Sequence, residues 1–355
     1  YIQGVEYQRH EYGYPMGSAH QDYFIMDINL VNNGISGVSE AAPVLTSQAL
    51  TNVMWIQAYD FKNNYAENDA QRRFDNNAMW TDPWGNTNRV LYWHDGNAKD
   101  MAPTETVFDS DDWGDPTTVP GYDGHLLGNL HLMMGPLFVS ESATAKTTNL
   151  LGQPAGIVIT GERGLDFAGK TYSPTSAQAM REIAISGDYQ MILDEDMHDD
   201  LVSGAAQWGD PAGGDGNQGG TSLMVYGPLN AAMSYANMDD QGWDIGWEES
   251  VRVVEVVAGG GLDRNAAQVI GKAWNERRVA NPTGDWFTAE DIAAIQSGED
   301  TVRKAINLAY WAFNGEFATS VDQAAKDAWG IGAYAAAKPA GYGEFDVPDA
   351  PRPPA

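Results

Sequence analysis

The run Val251 to Ala258 (VRVVEVVA) is the most apolar β-branched stretch of the chain, and the glycines Gly259 to Gly261 follow it directly. β-Branched side chains favour pleated backbone, and so apolar a run has to be buried, so it predicts a central strand. Beyond it the period changes. Ala267, Ile270, Gly271 and Trp274 fall on one helical face, with Asp263 placed as N-cap and Arg277 and Arg278 near the end where the helix dipole favours cations. Strand, glycine-rich turn, helix is also the order of a nucleotide-binding loop. The fingerprint fails, because Arg264 stands where the third glycine belongs and no phosphate loop ending in Lys-Ser or Lys-Thr occurs. The glycines therefore read as a hinge where the chain turns sharply out of a buried strand, and Gly260→Val is expected to damage folding.

Upstream the patterns are shorter. Residues 22–31 alternate, with Phe24, Met26, Ile28 and Leu30 sharing one face, and Asn32-Asn33-Gly34 supplies a tight turn. Further strands are predicted at Asn52 to Tyr59, Arg89 to His94, His131 to Val139, Ala155 to Thr160 and Thr221 to Tyr226. The stretch 61–88, mostly Asn, Asp, Trp and Gly, reads as a surface excursion, and 98–124 as an acidic loop punctuated by Pro and Gly. A short helix is expected at Ser173 to Arg181, an acidic irregular segment at 190–210, and a turned loop at GGDGNQGG, 213–220. Short strands between turn signals favour an antiparallel sandwich over a doubly wound parallel sheet.

After 262 helical spacing dominates. Thr288 with Asp291, and Ser320 with Gln323, resemble capping boxes, and Val302, Ala305, Ile306, Ala309 and Phe313 form an apolar stripe. The expected architecture is mainly β with α. An antiparallel β-sandwich with long Asp- and Trp-rich loops spans residues 1–262, a helical segment packed on it spans 263–337, and 338–355 is a Pro-rich linker or tail.

Lys and Arg number 20 against 49 Asp and Glu, a formal net charge of -29. Nucleic acid and anionic membrane surfaces are repelled by such a chain, and cations are its natural counterpart. The absence of cysteine excludes disulfides, thiolate nucleophiles, Fe–S clusters and Cys-ligated zinc. No charged-then-apolar leader or long apolar run is present, so a soluble, processed or trimmed segment is expected, without membrane insertion. The acidity, the few lysines and the many Asn, Asp, Gly, Trp and Tyr suggest an extracellular or cell-surface protein of a salt-rich setting.

Three acidic clusters are candidate Ca²⁺ sites. In DSDDWGD at 109–115, Asp109, Asp111 and Gly114 take positions one, three and six of a calcium loop, but Trp113 at position five and Pro120 at position twelve exclude an EF-hand. An irregular site is the remaining form there, with Asp115 as a further ligand. The others are Asp194, Glu195, Asp196, Asp199 and Asp200, and then Asp239, Asp240 and Asp244. For each cluster a solvated acidic loop is the plainer alternative.

The histidines show no zinc spacing, and no Gly-x-Ser-x-Gly elbow occurs. Paired carboxylates for glycoside hydrolysis stay open in a chain with 49 acids. Tryptophans number 12 and tyrosines 16, more than a core of this size requires. Trp80, Trp84, Trp93 and Trp113 lie in or beside polar loops and are candidate contacts to glycans or a partner, the alternative being that they pin loops to the body.

DYFIMDINLVNNG at 22–34, LYWHDG at 91–96, PGYDGHLLG at 120–128, YGPLN at 226–230 and WEESVRVVEVVAGGGLDRNAAQVIGKAW at 247–274 together resemble a known module. It belongs to large secreted or surface-anchored proteins of Bacteroidota, Ignavibacteria and related bacteria. The resemblance runs over roughly residues 20–275, with departures at 53–64 and at Glu248-Glu249. It implies a β-sandwich building block of the cell surface and brings no catalytic signature.

The reading expected from the sequence is a non-catalytic structural or adhesive module of a cell-surface or filament-like assembly. Ca²⁺ stabilises it, its partners are itself, other surface proteins or glycans, and it uses no nucleotide, haem or Fe–S cluster. The rivals are a carbohydrate-active enzyme of glycoside hydrolase type and a carbohydrate-binding module.

Overall fold

The structure is a computed structural model that describes residues 4–36, 44–45, 47–59, 76–80, 90–94, 126, 130–145, 156–159, 222–228, 242–281, 286–317, 321–332, 334 and 337–347. Its strands are β1 Val5–Gly13, β2 Tyr23–Asn32, β3 Ile35–Ser36, β4 Val44–Leu45, β5 Leu50–Val53, β6 Trp55–Tyr59, β7 Asn76–Trp80, β8 Val90–His94, β9 Leu130–Val139, β10 Gly156–Ile159, β11 Ser222–Tyr226, β12 Trp243–Ile245 and β13 Ser250–Gly261. Its helices are α1 Arg264–Ala280, α2 Ala289–Asn314 and α3 Gln323–Ala328. The fold mixes antiparallel sheets with helices, and none of the sheets closes into a barrel.

The apolar run is central, as its composition demands. The largest sheet has the order β1-β2-β13-β9-β8-β7, and Val251, Val253, Val254, Val256, Val257 and Ala258 are all buried. Successive side chains alternate between the faces of β13. Arg252 lies over the ring of Phe313 in α2, and Gly260 faces Gly298 and Val302 of the same helix. On the opposite face Glu255 accepts a hydrogen bond from Tyr226 in β11. The α2 stripe Val302, Ala305, Ile306, Ala309 and Phe313 is buried on one side, and Met224, Tyr226, Trp243 and Ile245 are buried on the other. At about 1.5–3 kcal/mol per fully buried aliphatic side chain, this two-sided burial makes β13 the chief source of cohesion.

The glycines differ from expectation. Gly259, Gly260 and Gly261 do not turn out of the strand but finish it, paired with Leu132, His131 and Leu130 of β9. Gly260 and Gly261 permit close approach of α2, since a Cβ on Gly260 would lie 2.6 Å from the Gly298 carbonyl oxygen and 2.7 Å from Val302 Cγ2, and one on Gly298 would lie 2.9 Å from Gly261 Cα. The change to helix comes later, at Asp263, whose side chain accepts from the backbone N–H groups of Asn265 and Ala266. The expected face Ala267, Ile270, Gly271 and Trp274 is the buried one.

Three further differences have physical causes. The strand expected over 52–59 is split at Met54 into β5 and β6, and Asn52, at φ 59° within β5, coincides with a register shift in its pairing with β12. Within the expected surface excursion 61–88, residues Asn76–Trp80 form β7, because pairing with β8 overrides their local polarity. The cap of α3 is Asp322 rather than Ser320, its carboxylate accepting from Ala325 N–H, whereas the Thr288–Asp291 capping box of α2 forms in full. The turn Gly34, φ 68°, follows β2 as expected. Expected features at 98–124, 173–181, 190–210 and 213–220 lie outside the described residues.

The segment 338–347 lies on the body. Phe345 and Val347 are buried, and Tyr12 stacks on Phe345 with ring centroids 3.8 Å apart.

Candidate functional site

Asp109, Asp111, Asp115, Asp194, Asp196 and Asp199, the expected Ca²⁺ ligands, lie outside the described residues, as do Trp84 and Trp113. Trp80 ends β7 opposite Val90, and Trp93 lies in β8 opposite Asn77, so the register brings both onto neighbouring strands at one end of the large sheet. Asp244 is exposed, and its carboxylate accepts from Asn52 N–H at 3.2 Å. Among the described residues no group of three or more His, Asp or Glu side chains is positioned to hold a metal ion.

Polar groups inside the body tie elements together. Glu255, fully buried in β13, is bonded by the Tyr226 hydroxyl. His20, also fully buried, meets the Tyr23 hydroxyl through Nδ1 and the Tyr334 hydroxyl through Nε2 at 2.9 Å. Burial pushes the nearby Tyr14 hydroxyl well above the ordinary tyrosine range, and it donates to the Phe345 carbonyl at 3.0 Å. These side chains join the start of β2, helix α2 and the C-terminal segment. They are structural pins, each occupied by protein partners.

Arg252 is a second junction. Its guanidinium donates twice to Asp27 at 2.8 Å and twice to Glu344, at 2.8 and 3.2 Å. Burial opposes its charge, but the hydrogen bonds to Asp27 and Glu344 outweigh burial and raise it above the usual arginine range. Lys338 shows the reverse balance. Burial pulls it down to about 8 against the attraction of Asp346 and Glu344, while its ammonium donates to the carbonyls of Ala312, Gly343 and Glu344.

An open groove of about 850 Å³ crosses the end of the large sheet where β2 begins and β13 ends, with Tyr14, Asp22, Phe24, Leu130, Gly260 and Thr301 among its walls. Its two acids, Asp22 and Asp263, take different parts in the fold. Asp263 caps α1, and the Asp22 carbonyl accepts from Gly259 N–H at 2.9 Å.

Among the described residues β1, like β7 at the other end, is an open edge of the large sheet. It pairs with β2 along its full length, from Val5 opposite Asn32 to Gly13 opposite Phe24, and its other side ends the sheet. Glu6 to Glu11 are exposed. Asn33 N–H donates to the Gly4 carbonyl at 3.0 Å, so the inward set continues with Glu6, Gln8, His10 and Tyr12. By the same alternation, the N–H and C=O groups of Val5, Tyr7, Arg9, Glu11 and Gly13 point outward. Among the described residues they meet no partner strand. Such a row is a template for another strand.

Side chains of this edge contact one another and β6. Tyr7 stacks on Trp55 of β6 at 5.2 Å, and burial there raises its hydroxyl above the ordinary tyrosine range despite the opposing charge of Arg9. Arg9 forms an ion pair with Glu11 two residues on, and Gln8 donates to Glu6 at 2.7 Å. The sequence contains no clear signal for β1, because a strand exposed on both faces lacks the apolar alternation that marks half-buried ones. Glu255 carries a local signal that the sequence reading passed over, a carboxylate set within an apolar run.

Comparison with protein-family models, curated proteins and solved structures finds no match to the chain.

Proposed function

We propose that the protein is a non-catalytic extracellular module, structural or adhesive in role, that joins a cell-surface or filament-like assembly. In this reading its architecture is a β-sandwich with a helical C-terminal third. The observation that carries the reading is the open edge of β1, whose outward backbone groups meet no strand among the described residues. A long unpaired edge is a hazard that folded chains ordinarily cover, shorten or interrupt with proline. Here it runs from Val5 to Gly13, with no proline in it. Its retention suits a chain whose edge is filled on assembly.

The partners are copies of the chain, other surface proteins, or glycans stacked on Trp80, Trp84, Trp93 and Trp113. With a net charge of -29, such a module needs cations, and Ca²⁺ held by the acidic clusters at 109–115 and 194–199 is the proposed stabiliser.

The test combines melting with binding. Millimolar Ca²⁺ is expected to raise the melting temperature of the metal-free protein, and binding to itself, to surface proteins or to a glycan array is expected without hydrolysis of any polysaccharide. Equal melting temperatures remove the Ca²⁺ part. Turnover of a polysaccharide replaces the reading with a carbohydrate-active enzyme.

A further inference from the structure

The outward set of β1 restricts how another strand can join it. In an antiparallel pair, residues directly opposite are either both hydrogen-bonded or both not. If the joining strand is β1 of a second copy, outward residues must face outward residues, so each allowed register is centred on one residue paired with itself. Centring on Arg9 opposes two guanidinium groups, and centring on Glu11 opposes two carboxylates. Centring on Gln8 sets Tyr7 against Arg9, Glu6 against His10 and Val5 against Glu11, which leaves Arg9 and Glu11 without opposite charges across the axis. Centring on His10 sets Arg9 against Glu11 on both sides of the axis, Gln8 against Tyr12 and Tyr7 against Gly13.

Of these four, only the last sets Arg9 and Glu11 against each other. Arg9 and Glu11 already form an ion pair within the strand, so both lie on one face and are in place for a four-membered alternation of charge. Charges on an edge ordinarily guard it against indiscriminate pairing. Here they disfavour the registers centred on Arg9 and on Glu11 and favour the one centred on His10. Like charges directly opposite destabilise a sheet, and opposite charges stabilise it.

Resting on the reading of the chain as an assembly module, we infer that β1 pairs antiparallel with β1 of a second copy. The two-fold axis passes through His10 perpendicular to the sheet. The large sheet of one copy then continues into that of the other, and α2 lies on the same side in both. The overlap runs from Tyr7 to Gly13 in each copy.

The absence of cysteine from the chain makes the register measurable. At the axis His10 faces itself in a pair that is not hydrogen-bonded, with Cα atoms about 4.5 Å apart, within the span of a disulfide. His10→Cys is expected to form a disulfide dimer readily on mild oxidation. Gln8→Cys alone is expected not to, although a mixture of Gln8→Cys and Tyr12→Cys chains cross-links. Val279→Cys, at a helix position 71% exposed, sets the level of random collision.

Sedimentation equilibrium reads the energetics in the cysteine-free chain. Arg9→Glu is expected to weaken dimerisation by about tenfold, and the double exchange Arg9→Glu with Glu11→Arg to restore it to within about threefold. Cross-linking of His10→Cys at the Val279→Cys level, or self-linking of Gln8→Cys instead, overturns the inference. So does a chain that stays monomeric at every concentration. A monomer that still binds a surface protein or glycan overturns this pairing alone and leaves the assembly reading standing.

Discussion

At Gly260 a single methyl group decides how closely α2 approaches the large sheet. The Gly298 carbonyl and Val302 Cγ2 occupy the space a Cβ would need, so Gly260→Ala is expected to cost about 1–3 kcal/mol in urea unfolding while the fold survives. Gly260→Val is expected to prevent folding. A normally folded Gly260→Val chain lacking a specific ligand would restore the nucleotide-loop idea that the sequence raises. Lys338 gives a pH signature. Its folded pKa of about 8 lies below the ordinary lysine value, so between roughly pH 8 and 10.5 the folded chain binds fewer protons than the unfolded one. Stability from this group therefore rises with pH across that window. Tyr14 and Tyr310, raised by burial, act oppositely, since they keep their protons in the folded chain after the unfolded chain has lost them. Subtracting the pH profile of Lys338→Met from that of the wild type isolates the lysine, and an identical slope in both would contradict its lowered value.

Among elements, the C-terminal segment is held to β2 and β13 through Arg252. The Asp27 side chain is only 9% exposed and that of Glu344 is 50% exposed, so the two carboxylates on one guanidinium contribute unequally. Asp27→Asn is expected to cost about 3 kcal/mol in thermal or urea unfolding, and Glu344→Gln less than about 1 kcal/mol. Equal losses would mean that the segment, rather than the sheet, depends on the arginine. Which elements were legible follows from burial. β2 and β9 are buried along most of their length, β13 is a continuous apolar run buried on both faces, and α2 carries a stripe of period 3.6, so their spans are close to those expected. β1 has no buried face, β7 takes its form from β8, and a break at Met54 divides a run whose composition is continuous. Glycine is the ambiguous letter. Gly259 to Gly261 suited a hinge equally well until Gly298 and Val302 showed what lies against them.

For the whole molecule, the net charge of -29 sets the conditions under which copies can meet. Long-range repulsion falls as added salt shortens the screening length, whereas exposed ion pairs such as Arg9 with Glu11 contribute only about 0–1 kcal/mol each. Self-association is therefore favoured by salt. The candidate site was less legible than the fold. The acidic and tryptophan-rich stretches drew attention because of their composition, while the open edge of β1 comes from sheet order, which no local pattern encodes. Its two sides differ in one measurable property. Hydrogen exchange of the β1 amides, followed from dilute to concentrated protein, reads the open edge directly. The amides of Gln8 and His10, bonded to β2, are expected to be protected throughout, and those of Tyr7, Arg9 and Glu11 to exchange freely when dilute and become protected when concentrated. Free exchange of Tyr7, Arg9 and Glu11 at every concentration, with and without surface partners, would contradict assembly through this edge.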